Sequence, residues 1–147
     1  MDTMRMESGF LHWGHDISPE ENQYEAGLNF AISYKKEIKF IGKESLLKIK
    51  DNKQNRRFIM LSLKDSKPGT PLLLHEEPIY LGDKIIGKTT SGNYSFNYKK
   101  NLSFGYVSSV HSNEELSKTD LYIEVAKQKL PVQVEITPLK DKQARFL

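Results

Sequence analysis

The sequence predicts a mainly β fold: a small α+β segment followed by a Greek-key or jelly-roll type barrel. Three observations predict it. Apolar runs of about five residues recur at roughly ten-residue spacing through the later two thirds of the chain. Turn residues separate them, at Pro68-Gly69, Pro71, Pro78, Gly82-Asp83, Gly87 and Gly92. Ahead of them the stretch Asp51-Asn52-Lys53-Gln54-Asn55 contains no apolar residue and reads as a connector.

The elements follow in order. Residues 27–34 alternate, with Leu28, Phe30, Ile32 and Tyr34 on one face, the period of a half-buried strand. Residues 42–50 read as a short helix whose Leu46, Leu47 and Ile49 oppose a lysine-rich face. Residues 57–63 alternate Phe58, Met60 and Ser62 against Ile59, Leu61 and Leu63. Further strands are expected over 78–81, 84–90, 103–107, 121–125 and 130–136, with a tight hairpin at Gly82-Asp83. One strand and one helix cannot bury both their apolar faces alone. The first part therefore packs onto the barrel, or belongs to something longer. The opening Met1-Asp2-Thr3-Met4-Arg5, without a turn or capping signal, points to the second reading.

Composition narrows the function classes. The chain has 147 residues, with Lys+Arg 22 against Asp+Glu 19, a net charge of +3. That excess is too small to mark a nucleic-acid binder by itself. Aromatic content of 10% argues against disorder. No apolar run approaches the ~20 residues of a spanning helix. The charged N-terminus lacks a signal-peptide core, so a cytoplasmic or mitochondrial-matrix-like compartment is expected and secretion is not. With no cysteine, disulfides, thiolate catalysis and Cys-ligated metals are excluded.

Few residues carry candidate chemistry. His12, His15 and Asp16 resemble metal ligands by spacing, but His75 and His111 lie in unrelated loops and no third ligand is evident. They read as polar loop residues around a packed Trp13, and no metal is expected. Arg5 and Glu7, two apart, would share one face of a strand. They suit a surface ion pair; alternatively the guanidinium holds a planar anion in a forked grip. Residues 89–98 are rich in hydroxyls and aromatics without a phosphate-loop pattern, and read as a turn and strand rather than a base-stacking surface. No hydrolase constellation is present, and Gly-x-Ser-x-Gly is absent.

A set of motifs in fixed order adds to this. Met4-Arg5-Met6-Glu7-Ser8-Gly9-Phe10, Trp13-Gly14-His15-Asp16, Glu25-Ala26-Gly27-Leu28 and Phe40-Ile41-Gly42-Lys43 are followed by Arg56-Arg57, residues 87–95 and residues 100–107. The series resembles the later half of the folate-dependent aminomethyltransferases, the glycine-cleavage T-protein family. Trp13-Gly14 and residues 87–95 resemble the tail of the dimethylglycine and sarcosine dehydrogenases. The resemblance implies that residues 1–50 are the end of a folate-binding domain, 56–138 the C-terminal β-barrel and 139–147 a tail. It implies transfer of a one-carbon unit from an amine to tetrahydrofolate, with FAD only in a fused dehydrogenase and no metal. The catalytic aspartate would lie in a preceding folate domain, the partner of this part. Here Arg5 would bind folate, Glu7 and Trp13 would support its pocket, and Arg145 would sit near the substrate. Beside this stands the alternative of a barrel module that binds nucleic acid or protein without catalysis, and a purely structural domain that closes its partner's pocket.

Overall fold

Strand β1 (Arg56–Leu63) serves two cores at once. Its residues Ile59, Leu61 and Leu63 point into the barrel and join Ile79, Val107, Ile123 and Val132. The alternate residues Phe58 and Met60 point outward and join Leu102, Phe104 and Met6. The period-2 pattern of the sequence is realised on both faces. This arrangement comes from a computed structural model, which describes residues 1–35 and 37–135.

The other strands are β2 (Pro78–Leu81), β3 (Lys84–Ser95), β4 (Lys100–Ser108), β5 (Leu121–Val125) and β6 (Gln128–Glu135). They close into an antiparallel barrel in the order β1-β4-β3-β2-β5-β6. The run β1-β4-β3-β2 is the expected Greek key. β2 and β3 are joined by the expected hairpin, where Gly82 takes φ 60°. β3 extends well past the predicted residue 90 because its later hydroxyls meet partners outside the barrel. The last residue expected for β6, Ile136, lies outside the described residues.

Two helices were not foreseen. α3 (Asn113–Lys118) starts at Ser112, whose Oγ accepts the Glu115 N–H at 3.1 Å. The Ser112-x-x-Glu115 spacing is an N-cap signal, and Leu116 carries the helix into the inner core. α1 (Asp2–Glu7) replaces the extended segment implied by pairing Arg5 with Glu7 on one strand face. It lays Met6 on the outer face of β1 and β4. That face holds Phe58 edge-on to Phe104 and Tyr106, at centroid distances of 5.1 and 5.6 Å.

The strand expected over 27–34 is absent. A closed barrel offers no free edge to pair with, so this backbone is satisfied locally. A single 3-10 turn (Asn29–Ala31) stands there, with Ala31 N–H bonded to Leu28 O. Phe30 is 82% exposed, the reverse of its expected burial. The predicted helix does form, as α2 (Lys43–Ile49). Leu46 and Ile49 are half-buried, while Leu47 stays exposed.

Candidate functional site

The site is the seam between the N-terminal segment and β3. On a regular strand Thr90 and Ser91 would face opposite sides. Here Thr89 pairs with Gly105 and Ser91 with Phe104, so Thr90 is an extra residue in a bulge. The bulge turns both hydroxyls to one side. Thr90 Oγ1 and Ser91 Oγ donate to the same oxygen, Asp16 Oδ1, at 2.6 and 2.7 Å.

Asp16 is the hub. Its Oδ2 accepts Arg5 Nη1 at 2.5 Å and the His12 N–H at 2.8 Å, and its backbone oxygen accepts the Tyr106 hydroxyl at 2.8 Å. The carboxylate is fully buried, with donors on both oxygens. This is the condition under which a buried charge is tolerated. Gly14, at φ 89°, allows the loop to curl so that the His12 N–H points back at Asp16. Burial, with the nearby Glu21, Asp16 and Glu25 carboxylates, pushes the Tyr106 hydroxyl well up from its ordinary pKa.

Arg5 uses its whole fork. Nε donates to Asp2 at 3.0 Å and Nη2 to Ser91 Oγ at 3.0 Å, and the guanidinium lies 5.9 Å above the Phe104 ring. The exposed Asp2 carboxyl is held below its ordinary pKa by that hydrogen bond and by the Arg5 charge. Glu7 faces a different part of β3. Its Oε1 accepts Ser95 Oγ at 2.6 Å and its Oε2 accepts Asn97 Nδ2 at 2.6 Å. Arg5 and Glu7 are therefore not an ion pair with each other; each ties α1 to the barrel separately.

Trp13 is not packed, as the sequence reading expected, but 67% exposed. The loop spends its inward side on Asp16, and the indole is left outside. His12 and His15 stack at 4.7 Å between ring centroids. Among the described residues no group of three or more His, Asp or Glu is placed to hold a metal. A cleft of about 220 Å³ opens beside the seam, lined by Arg5, His12, His15, His75, Ser91 and Asn93 among others. Arg145 lies outside the described residues.

Sequence reasoning missed the Asp16–Thr90–Ser91 constellation. The signal was present as three successive hydroxyls, Thr89-Thr90-Ser91, in a segment that should alternate. It could not be read without knowing that a buried carboxylate faces them.

A second tie lies at the start of β1. Arg56 meets Glu21 at 2.8 Å and Glu25 at 3.6 Å, with its guanidinium 5.2 Å over Tyr106. Burial alone would raise the Glu21 pKa, but the Ser18 hydroxyl and N–H together with Arg56 bring it below its ordinary 4.5. A lowered carboxyl stabilises the fold above that value, and the contribution is lost as pH falls through the lower folded pKa. Glu77, raised by burial, has the opposite sign. The expected result is that Glu21→Gln flattens the acid limb of a denaturation-versus-pH curve below about pH 4.5, by about 1 kcal/mol or less, because Arg56, 35% exposed, is still partly screened by water although Glu21 is only 10% exposed. A variant with the same acid limb as the parent would remove Glu21 from the account.

Comparison with known proteins agrees with this architecture. The profile of the glycine cleavage T-protein C-terminal barrel domain matches residues 56–141. An aminomethyltransferase from Listeria welshimeri is 33% identical over 137 residues, which is 93% of this chain and 36% of that protein. The mitochondrial dimethylglycine dehydrogenase of Homo sapiens is 37% identical over 109 residues, 73% of this chain and 12% of that protein. The crystal structure of the glycine cleavage system aminomethyltransferase T from Bartonella henselae superposes with a TM-score of 0.78 at 21% identity, over 93% of this chain and 37% of that one. The chain thus spans little more than a third of these relatives at most. With a Greek-key barrel at the matched residues and the N-terminal segment seated on its outer face, the chain belongs to the aminomethyltransferase family, as its glycine cleavage T-protein C-terminal barrel.

Proposed function

We propose that the chain is the pocket-closing part of a folate-dependent one-carbon transferase, in which a preceding domain supplies the catalytic group. The observation that carries this reading is the Arg5–Asp16–Ser91 lock. It holds one guanidinium at the mouth of a cleft while leaving its Nε edge covered only by Asp2, whose side chain is 63% exposed. A carboxylate of tetrahydrofolate could displace that surface partner and take a forked grip on Arg5 without unmaking the buried Asp16 bond. Glu7 would fix α1, and the exposed Trp13 would offer an aromatic face to a planar group.

Family membership supports tetrahydrofolate as the acceptor of a one-carbon unit from an amine, and FAD only where such a part is fused to a dehydrogenase. An apolar surface supports the preceding domain as partner. A hollow of about 580 Å³ is lined by Leu28, Ile32, Ile38, Phe40 and Ile41, with Leu46 from α2. Of these, Ile38 and Ile41 are exposed. Patches of this kind mark interaction surfaces.

In this division of labour the chain binds and orients. Transfer needs an acid or base within hydrogen-bond reach of the reacting carbon, and we assign none to this chain. Two results are expected. The isolated 147 residues form no methylenetetrahydrofolate from dimethylglycine, sarcosine or an aminomethylated carrier. In a chimera with the remainder of the Listeria welshimeri aminomethyltransferase joined ahead of this chain, Arg5→Ala weakens tetrahydrofolate binding by about tenfold or more. Turnover by the isolated chain would misplace the catalytic group; unchanged affinity in the Arg5 variant would remove the site.

A further inference from the structure

Two loops meet at the end of the barrel where β1 finishes and β3 turns into β4. They frame a cavity of about 590 Å³ whose wall holds four lysines, Lys64, Lys67, Lys99 and Lys100, against a single carboxylate, Asp65. The whole chain carries a net charge of only +3, so four lysines lining one hollow are a local concentration rather than a reflection of general basicity. Lys64 leans toward Asp120 at 3.8 Å in an exposed pair, and Lys100 toward the largely covered Glu135 at 3.6 Å; both contacts are long. Among the described residues Lys67 and Lys99 make no ion pair.

The frame is fixed although the ammonium groups are free to move. Asn101, 2% exposed, donates its side-chain Nδ2 to Lys67 O at 3.2 Å. Its backbone N–H goes to Ser66 Oγ at 2.9 Å, and the Tyr98 N–H goes to Ser95 Oγ at 3.0 Å. One buried side chain thus ties the first loop to the start of β4, where the second loop ends. Lys99 is held at φ 52°, a conformation that favours glycine or asparagine and costs a lysine about 1 kcal/mol. Like charges gathered on a fixed backbone repel one another until an anion enters.

We infer that this cavity binds a small phosphate-bearing polyanion. The donors are compact point charges with the Thr70 hydroxyl beside them and no arginine in the wall, a set that suits a multivalent phosphate better than the planar carboxylate fork. The cationic groups sit on two loops around one hollow rather than along a stripe, which suits a compact ligand rather than a polymer backbone. The site is separate from the Arg5 seam and does not rest on the folate reading.

The test uses the full chain and inorganic tripolyphosphate, titrated by calorimetry at low salt. Citrate serves as the carboxylate counterpart and a single-stranded deoxyoligonucleotide as the polymer. Tripolyphosphate is expected to bind, more weakly as salt rises, with citrate about tenfold weaker or more. Lys67→Ala with Lys99→Asn is expected to lower tripolyphosphate affinity by about tenfold or more. Asparagine suits the left-handed backbone at 99, so folding is retained, as a thermal melt would verify. Lys53→Ala with Lys84→Ala removes the same charge elsewhere and is expected to leave the affinity unchanged. No binding at millimolar tripolyphosphate, equal losses in both double variants, citrate as tight as tripolyphosphate, or tighter oligonucleotide binding through the same lysines would each overturn the proposal.

Discussion

Asp16→Ala is expected to lower the free energy of unfolding by about 3–5 kcal/mol, the largest loss from any single polar side chain in the seam. The carboxylate is fully buried and accepts Arg5, the His12 N–H, Thr90 and Ser91 together. Its removal takes away the buried counter-charge of Arg5, leaving only the exposed Asp2, and leaves two hydroxyls without their acceptor. The damage is local in origin. The loop over residues 12–17 loses its anchor first, α1 then loosens, and the outer face built on Phe58, Leu102 and Phe104 is uncovered. Urea denaturation measures the loss, and hydrogen exchange locates it: protection should fall first at the outer face of β3 and β4 and last in β5 and β6. Asp16→Asn should recover only part of the stability, because its NH2 group adds a donor where donors already converge. An alanine variant within ~1 kcal/mol of the parent would show that the network is not what seats the segment.

Gly87→Ala carries a comparable penalty for a different reason. Gly87 pairs with Ile79 on one side and Val107 on the other. A Cβ there would stand 1.9 Å from Tyr106 O and 2.9 Å from Val107 Cα. These are backbone atoms, so no side-chain rotation relieves the overlap, and β3 and β4 must separate or shift. The expected cost is about 3 kcal/mol or more, the upper end of overpacking. Gly82 provides the contrast. A Cβ there meets nothing within 4 Å, and only the φ of 60° resists it. Gly82→Ala should cost about 1–2 kcal/mol. Equal midpoint shifts for the two variants in thermal melts would contradict this reading of the close approach at Gly87.

The barrel was legible in the sequence where one residue type served one face. The alternation through residues 57–63 placed the two faces of β1 correctly, and Gly82-Asp83 located the hairpin between β2 and β3, because both signals are local. α3 was missed although Ser112 and Glu115 carried its cap in plain view, since six residues present too little periodicity to outweigh a β-rich context. The strand expected over 27–34 failed because alternation supplies a face but not a neighbour, and the closed barrel has no edge to lend. Arg5 and Glu7 were picked out as a pair, yet the helix sends one to Asp16 and the other to Ser95 and Asn97. Asp16 itself was seen only as a neighbour of two histidines. Its burial depends on a bulge at Thr90, more than seventy residues away, and sequence spacing does not report such contacts.

We propose that this chain completes a folate pocket that another domain begins. It is tested most directly by calorimetric titration of tetrahydrofolate into two proteins: the portion of the Listeria welshimeri aminomethyltransferase that lies ahead of the matched region, alone, and the chimera that joins it to this chain. The account predicts binding at least about tenfold tighter in the chimera, with most of that gain lost in its Arg5→Ala variant. Equal affinity in the two proteins, with the chimera folded, would contradict it.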